Sequence, residues 1–155
     1  MKTVLNKEWR VTVPGGFREM DDVERGKLNT LEATPQWGAQ DPDRHMVISV
    51  AWKKRGFASL LVNSQEVAKK MEAAVRGPMQ AYGYHLEGFL TEDAGGMKAD
   101  GFRYTYTVQD IGMTRESYSI KKGKTFYYLH IYYRTELANE NASVIRELIG
   151  SSEWV

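Results

Sequence analysis

The chain has 155 residues, of which 42% are apolar and 26% charged, a composition that can bury a substantial core as one domain over residues 1–155. It contains no cysteine, which excludes disulfides, thiol nucleophiles and thiolate-bound metals. Lysine and arginine total 21 against 20 for aspartate and glutamate, and this balance gives no reason to expect a nucleic acid or an anionic membrane surface as partner.

The first part of the chain is predicted to form strands. Residues 9–13 alternate apolar and polar side chains, and the Pro-Gly-Gly sequence at residues 14–16 ends that strand. Residues 28–33 are compatible with a second short strand, whereas residues 34–44 are rich in proline, glycine and aspartate and predict a long loop. Residues 45–53 carry apolar side chains on both faces, which is typical of a central strand covered on both sides.

A helix is predicted in the middle of the chain, because one apolar stripe recurs at helical spacing there. Asn63 or Ser64 can cap its first turn, and Glu66 follows Asn63 at capping-box spacing. Gly77 and Pro78 are a stop signal. Met79, Tyr82 and Tyr84 could extend the helix past a kink or begin the next strand, and we favour a helix that continues to about Tyr82. The stripe consists of Val67, Met71, Ala74 and Val75.

The second half of the chain predicts four strands and a helix. The strands cover residues 84–91, 102–108, 113–120 and 125–134, with turns at residues 95–96, 109–112 and 121–124. Gly123 supplies the positive φ that the last of these tight turns needs. The final helix is indicated by an apolar stripe, with Asn139 or Asn141 as its cap and Gly150 at its end; the stripe is Val144, Ile145, Leu148 and Ile149.

This order of elements predicts an α+β fold. Strands joined by tight turns are antiparallel, so the strands form an antiparallel sheet of about six to seven strands. Two amphipathic helices must each bury an apolar stripe against that sheet.

The pattern resembles the PsbP/DcrB-like superfamily of α/β/α sandwiches, which includes a Ran-binding nuclear import factor. The resemblance spans nearly the whole chain and lies in the order of elements rather than in a sharp motif. It rests on residues 9–17, the helix around residues 67–75, residues 101–106, the hairpin at Lys122 and Gly123, residues 126–133, and the final helix through residues 149–152.

The resemblance implies binding rather than catalysis. Characterised members include extrinsic photosystem subunits, a factor that binds a small GTPase, and bacterial chaperones that hold apolar helices of secreted effectors. No catalytic residue set unites them, so no catalytic position is carried over to this chain. No leader is visible at the start of the chain, which argues against an exported PsbP-type role.

Tyrosines concentrated on three consecutive predicted strands are the strongest functional signal. Tyrosine combines apolar area with a polar tip, which suits interfaces and ligand grooves. Cross-strand pairing that stabilises the sheet is an equally good explanation, because adjacent tyrosines such as Tyr127 and Tyr128 place rings on both faces. The candidate binding residues are Tyr104, Tyr106, Tyr118, Tyr128, His130 and Tyr132.

Other chemistry-bearing groups have weaker patterns. Asp41, Asp43 and His45 alternate and could converge on a cation, but a solvated turn explains them better. Acid–base chemistry by Glu87, Glu92, Asp93 and His85 is likewise less favoured than an exposed strand end. The glycine pairs at residues 15–16 and 95–96 lack phosphate-loop spacing. No catalytic residue, metal or cofactor is therefore assigned.

The sequence thus predicts a non-enzymatic binding domain, a protein-interaction, chaperone or assembly factor that uses an aromatic sheet face. The alternative is a small-ligand carrier or enzyme with a pocket near His130 and the tyrosines. The expected partner is another protein, a homodimer remaining possible, and nucleic acid and a membrane span are not expected. A cytoplasmic location is expected because no signal peptide is visible, although a removed one remains possible.

Overall fold

The computed structural model describes residues 1–28, 34–57 and 61–155 of the chain. Strands in these ranges form a seven-stranded antiparallel sheet and a three-stranded sheet. The predicted α+β class and antiparallel sheet are confirmed. The strands are β1 Lys2–Leu5, β2 Trp9–Thr12, β3 Arg18–Glu19, β4 Trp37–Asp41, β5 Met46–Lys54, β6 His85–Ala94, β7 Met97–Val108, β8 Ile111–Lys122, β9 Thr125–Arg134 and β10 Glu153–Trp154. The order in the large sheet is β3-β4-β5-β9-β8-β7-β6, and the order in the small sheet is β1-β2-β10.

The middle helix, α2, spans Ser64–Arg76 and begins where the sequence predicts. The Asn63 side chain caps it by accepting a hydrogen bond from the Glu66 backbone N–H at 2.9 Å. The helix ends at Arg76, and a separate 3-10 turn follows at Gln80–Tyr82, so the continuation predicted after the Gly-Pro stop is a short turn. Met71 and Val75 of α2 pack on one face of the seven-stranded sheet, here called the α2 face.

The last helix, α3, spans Ala138–Gly150 and packs on the opposite face, here called the α3 face. Its predicted cap is wrong: Leu137 occupies the cap position without a side-chain bond, and Asn141 lies buried inside the helix. The three-stranded sheet packs on the α3 face as well, through Trp9 and Val11. The sheet therefore lies between two helical layers, as in an α/β/α sandwich. No helix in the described ranges is long and apolar enough to cross a bilayer.

Strand β4 corrects the long loop predicted over residues 34–44. Trp37 and Ala39 of this strand are buried on the α3 face and pair with Val50 and Ile48 of β5. The strand was missed because it is short and carries turn-forming residues at both ends, which obscure its alternation. The short strand predicted at residues 28–33 lies almost entirely outside the described residues.

Of two turns in the large sheet, one has the conformation predicted from the sequence and the other is shorter than predicted. Gly123 has φ +61°, as predicted for the β8–β9 turn. The β7–β8 turn is tighter than predicted, because only Gln109 and Asp110 form it, both with positive φ. Ile111 therefore already belongs to β8, which places it beside the end of β7.

A short helix, α1, spans Asp22–Gly26 and is held by a charged network on the protein surface. Asp21 and Glu24 form a reciprocal capping box at its start. The Arg18 guanidinium donates two hydrogen bonds to the Glu24 carboxylate, at 3.0 and 2.7 Å, and Gln40 donates a third at 2.8 Å. These hydrogen bonds lower the pKa of Glu24 from 4.5 to about 2, and the hydrogen bonding from the Arg18 side chain has the largest effect.

Replacing Arg18 with glutamine is expected to raise the pKa of Glu24 back toward 4.5, because the guanidinium is the main cause of its shift. A carboxyl with a lowered folded-state pKa stabilises the fold above its unfolded value. That contribution is present above pH 4.5 and is lost as the pH falls to about 2. NMR titration of the Glu24 side-chain carboxyl carbon, in the wild-type protein and in Arg18→Gln, measures the pKa of Glu24 in each. An unchanged midpoint in the variant would show that Arg18 does not cause the shift.

Candidate functional site

The six predicted binding residues divide between the two faces of the large sheet. Tyr104, Tyr106, Tyr128, His130 and Tyr132 lie on the α2 face, because they share strand parity with Phe102 and Phe126 across β7 and β9. The sixth residue, Tyr118, packs in the core of the α3 face. The six therefore do not form one site.

Most of these residues are buried in the sheet. Tyr104, Tyr118, Tyr128 and His130 are each 3% exposed or less. His130 Nδ1 lies 2.8 Å from the Ser117 hydroxyl on the neighbouring strand, so the ring is held within a cross-strand pair. These side chains therefore take part in cross-strand packing, which is one of the two explanations that the sequence offers for them.

Arg115 is the charged residue that the sequence reasoning missed on the α2 face. It is 7% exposed and lies in register between Tyr104 and Tyr132. Its guanidinium donates to the Tyr104 hydroxyl at 3.2 Å and lies 4.5 Å from the centre of the Tyr132 ring. A cation stacked on a ring and bonded to a phenol orders the two tyrosines around it. The sequence signal that could have identified Arg115 is its place within β8, a strand that pairs with β7 on one side and with β9 on the other.

An apolar cleft of about 460 Å³ opens at the end of the α2 face, next to the β7–β8 turn. We call it the terminal cleft. Its walls combine apolar side chains from three strands with polar groups at the margin, including Val47, Tyr106, Val108, Ile111, Met113 and Arg134. Val108 and Ile111 are 38% and 39% exposed, so the cleft presents apolar surface to solvent. Of the predicted tyrosines, only Tyr106 lines it.

The candidate metal ligands Asp41 and His45 also line the terminal cleft. The Asp41 carboxylate is only 3% exposed; it pairs with the Arg44 guanidinium and accepts the Asp43 backbone N–H at 3.0 Å. Asp43 and His45 are exposed. Within the described ranges no three histidine, aspartate or glutamate side chains converge in a metal-binding geometry. Residues 42–45 instead form a turn, which is the interpretation that the sequence favours for Asp41, Asp43 and His45.

A second cavity, of about 230 Å³, lies on the α3 face between the sheet and the first half of α3. We call it the polar cavity. Glu116 forms its inner wall and is 3% exposed. Tyr118 and Tyr133 each donate a phenolic hydrogen bond to the Glu116 carboxylate, at 2.5 and 2.8 Å. Arg103 Nε lies 3.4 Å from the same carboxylate.

The electrostatics of the polar cavity keep the Tyr118 and Tyr133 phenols neutral and the Arg103 guanidinium charged. Burial raises the pKa of the Tyr118 and Tyr133 phenols above their ordinary value, and the adjacent Glu116 raises it further. Burial opposes the charge of Arg103, but the Glu116 carboxylate and the neighbouring tyrosines give a net rise in the pKa of the guanidinium. The phenols therefore remain donors and the guanidinium remains charged at physiological pH.

The structure brings together two of the four residues weighed for acid–base chemistry. Glu87 and Glu92 both line the polar cavity, with Glu87 3.9 Å from Arg103 Nη1. The Glu92 carboxylate accepts no hydrogen bond and forms no ion pair within the described parts of the chain. Asp93 instead accepts the Gly96 backbone N–H in the β6–β7 turn, and His85 is exposed at the start of β6.

Solved structures with similar folds are known, although no protein-family model matches the chain and no curated protein matches its sequence. The chain superposes on cyanobacterial PsbP (CyanoP) from Synechocystis sp. PCC 6803 with a TM-score of 0.70 and 12% identity, covering 100% of this chain and 92% of that one. LpqN, involved in cell envelope biogenesis of Mycobacterium tuberculosis, superposes with a TM-score of 0.58 and 13% identity, over 95% and 83% of the two chains.

A protein from Bacteroides thetaiotaomicron superposes with a TM-score of 0.60 and 12% identity. The match covers 95% of this chain and 45% of that one, so the fold forms less than half of the longer protein. These similarities confirm that the chain has a PsbP-like fold. At such identities they establish the architecture alone.

Proposed function

We propose that this chain is a non-enzymatic binding domain that contacts another protein through the terminal cleft, as an interaction, chaperone or assembly factor. The observation that carries the proposal is the solvent-open apolar surface at the end of the aromatic α2 face. The PsbP-like fold supports it, since the resembling family binds other macromolecules. A single-domain organisation and a cytoplasmic location belong to the same proposal.

The shape and lining of the terminal cleft suit an apolar anchor from a partner. Val108 pairs with Ile111 at the end of the β7–β8 hairpin, Tyr106 pairs with Met113 next to them in the same ladder, and all four residues line the cleft. Gln40 and Arg134 supply polar groups at the margin. An apolar centre with a polar rim is the usual organisation of a protein interface. The volume of about 460 Å³ lies within the range of about 300–1,000 Å³ that is usual for binding pockets.

Site-specific photo-crosslinking in cells tests this proposal. A photoreactive phenylalanine analogue is introduced at Ile111 in the cleft, with Val4 on β1 as the matched control, because both residues are apolar and they are 39% and 46% exposed. We expect a defined adduct from position 111 that position 4 does not form, and its loss when Val108→Asp is added. An adduct of twice the chain mass would identify a second copy as the partner.

Two results would contradict the proposal. The same adducts from both positions would show that crosslinking follows exposure rather than the cleft. Absence of any adduct from position 111, with the protein folded and abundant, would show that the cleft contacts no protein under those conditions.

The polar cavity favours a second candidate function, a small-ligand carrier. The sequence placed such a pocket near His130, but His130 does not line either of the two cavities described above. The polar cavity offers the Glu87 and Glu92 carboxylates beside Arg103, which suits a small polar molecule with a cationic group. A small molecule that co-purifies with the protein and is lost in Glu92→Gln would favour this function over the first.

A further inference from the structure

Six cations are gathered at one end of the large sheet, although the whole chain has a net charge of only +1. They lie at the ends of β5 and β8 and in the turn before β9. We call this group the basic rim. It consists of Lys53, Lys54, Arg55, Lys121, Lys122 and Lys124.

The strand register brings these cations close together. Lys53 and Lys121 both lie opposite Phe126 of β9, on either side of it, and Lys54 and Lys122 flank Thr125 in the same way. Because adjacent strands are about 4.8 Å apart, each pair of lysines has backbones separated by about 10 Å. The Arg55 backbone N–H donates to the Lys124 carbonyl at 2.8 Å, which joins the turn to the end of β5.

Five of the six rim cations form no ion pair with an acidic side chain in the described parts of the chain. The ion pairs between described residues are made by arginines elsewhere, and none includes Lys53, Lys54, Arg55, Lys122 or Lys124. Their backbone spacing of about 10 Å is slightly more than the Debye length of about 8 Å at physiological salt, so the repulsion between these cations is reduced by screening but not removed. An external anionic surface would relieve that repulsion.

Large apolar side chains lie beside the cations. Phe57 is 79% exposed and Leu61 is 87% exposed, the two largest values among the exposed large hydrophobic residues described. The Lys124 ammonium lies 4.5 Å from the centre of the Phe57 ring. The Lys121 ammonium donates to the carbonyl of Val62, the residue after Leu61, at 2.8 Å, so both apolar residues lie near rim cations. Apolar residues that enter the headgroup region, flanked by lysines that contact the headgroups, are typical of proteins that bind a bilayer surface.

We propose that the basic rim binds the surface of an anionic membrane, with Phe57 and Leu61 inserting among the lipids. Charge complementarity supplies the attraction, and the two apolar side chains supply the preference for lipid. A single-stranded nucleic acid fits less well, because successive bases stack on several exposed aromatic rings. Of the two exposed apolar side chains here, only Phe57 is aromatic. This surface is separate from the terminal cleft, so the two proposals can fail independently.

Sedimentation with lipid vesicles tests the proposal. The wild-type protein is expected to sediment with phosphatidylcholine vesicles that contain phosphatidylserine, to remain in solution with pure phosphatidylcholine vesicles, and to dissociate as salt is raised. Each lysine near an anionic surface changes partitioning by about fivefold. The variant Lys54→Glu/Lys122→Glu is therefore expected to bind at least about 25-fold more weakly.

The matched control is Lys27→Glu/Lys70→Glu, which makes the same change in net charge at two exposed lysines outside the rim. It is expected to bind nearly as well as wild type. Phe57→Ser is expected to weaken binding while leaving its salt dependence unchanged, because it removes apolar insertion but no charge. Thermal melts of all variants establish that they are folded.

Three outcomes would overturn the proposal. Equal loss in the rim variant and the control would show that net charge, not the rim, determines binding. Equal binding to neutral vesicles would show that the cations are not used. Binding to single-stranded RNA or heparin without binding to phosphatidylserine vesicles would identify the rim as a polyanion site instead.

Discussion

Replacing Gly101 with alanine is expected to destabilise the fold by about 3 kcal/mol or more, because the new methyl group has no space. Gly101 lies in β7 opposite Tyr118 of β8. A Cβ built at this position would lie 2.2 Å from the Ser117 carbonyl oxygen and 2.7 Å from the Tyr118 ring. The first of these is backbone in the middle of the sheet, so relief requires moving β8 away from β7.

Urea denaturation of Gly101→Ala measures this loss, with Gly150→Ala as the control. Gly150 is the last residue of α3, and a Cβ added there meets no atom within 4 Å. The control is expected to be neutral or stabilising by up to about 1 kcal/mol, because alanine restricts the unfolded chain more than glycine does. Equal stability of the two variants would show that β7 and β8 are not packed at this distance.

Replacing Glu116 with alanine is expected to have a comparable effect, about 3 kcal/mol, through lost hydrogen bonds rather than a clash. The substitution leaves the Tyr118 and Tyr133 hydroxyls without their acceptor in a buried environment. It also leaves the charge of Arg103 without its nearest partner. Since the Arg103 side chain is 34% exposed, water compensates for part of that loss, and most of the effect comes from the phenols.

Two comparisons separate the carboxylate's role from simple loss of volume. Glu116→Gln retains one acceptor oxygen and the shape of the side chain, so it is expected to cost about 1 kcal/mol. Glu147→Ala removes an exposed carboxylate from α3 and is expected to change stability by less than about 0.5 kcal/mol. If Glu116→Ala were as stable as Glu147→Ala, the buried network around Glu116 would not contribute to the fold.

Much of the fold could be predicted because its signals are local. Helix α2 was recognised from its apolar stripe and the Asn63 cap, and β9 was predicted with the bounds that the structure has. Gly123 was correctly assigned to a positive φ. By contrast, the buried strand β4 was not predicted, because proline and glycine in this region indicate a loop. The alternation of its side chains identifies a strand only once its pairing with β5 is known.

The candidate sites were less accessible from the sequence. The tyrosines were identified, but alternation along a strand does not say which face a helix will cover or how deeply. Tyr104 and Tyr118 both became core residues, on opposite faces. Glu116 was not singled out, because its two phenol donors and Arg103 come from other positions in the sheet register.

Net charge illustrates the same limit. The near balance of 21 basic and 20 acidic residues suggested no anionic partner. A sum over the chain contains no information about position, and the register of β5, β8 and β9 gathers six cations at one end. The proposed membrane surface follows from that arrangement and not from the total.

The sequence by itself determined the class of fold, the helices and the tight hairpins, since hydrophobic period and turn chemistry act over a few residues. Only the tertiary structure decided which tyrosines are buried, where Glu116 finds its donors, and which lysines become neighbours. Those properties depend on pairing between strands far apart in the chain, where a shift of one residue would move every side chain to the other face.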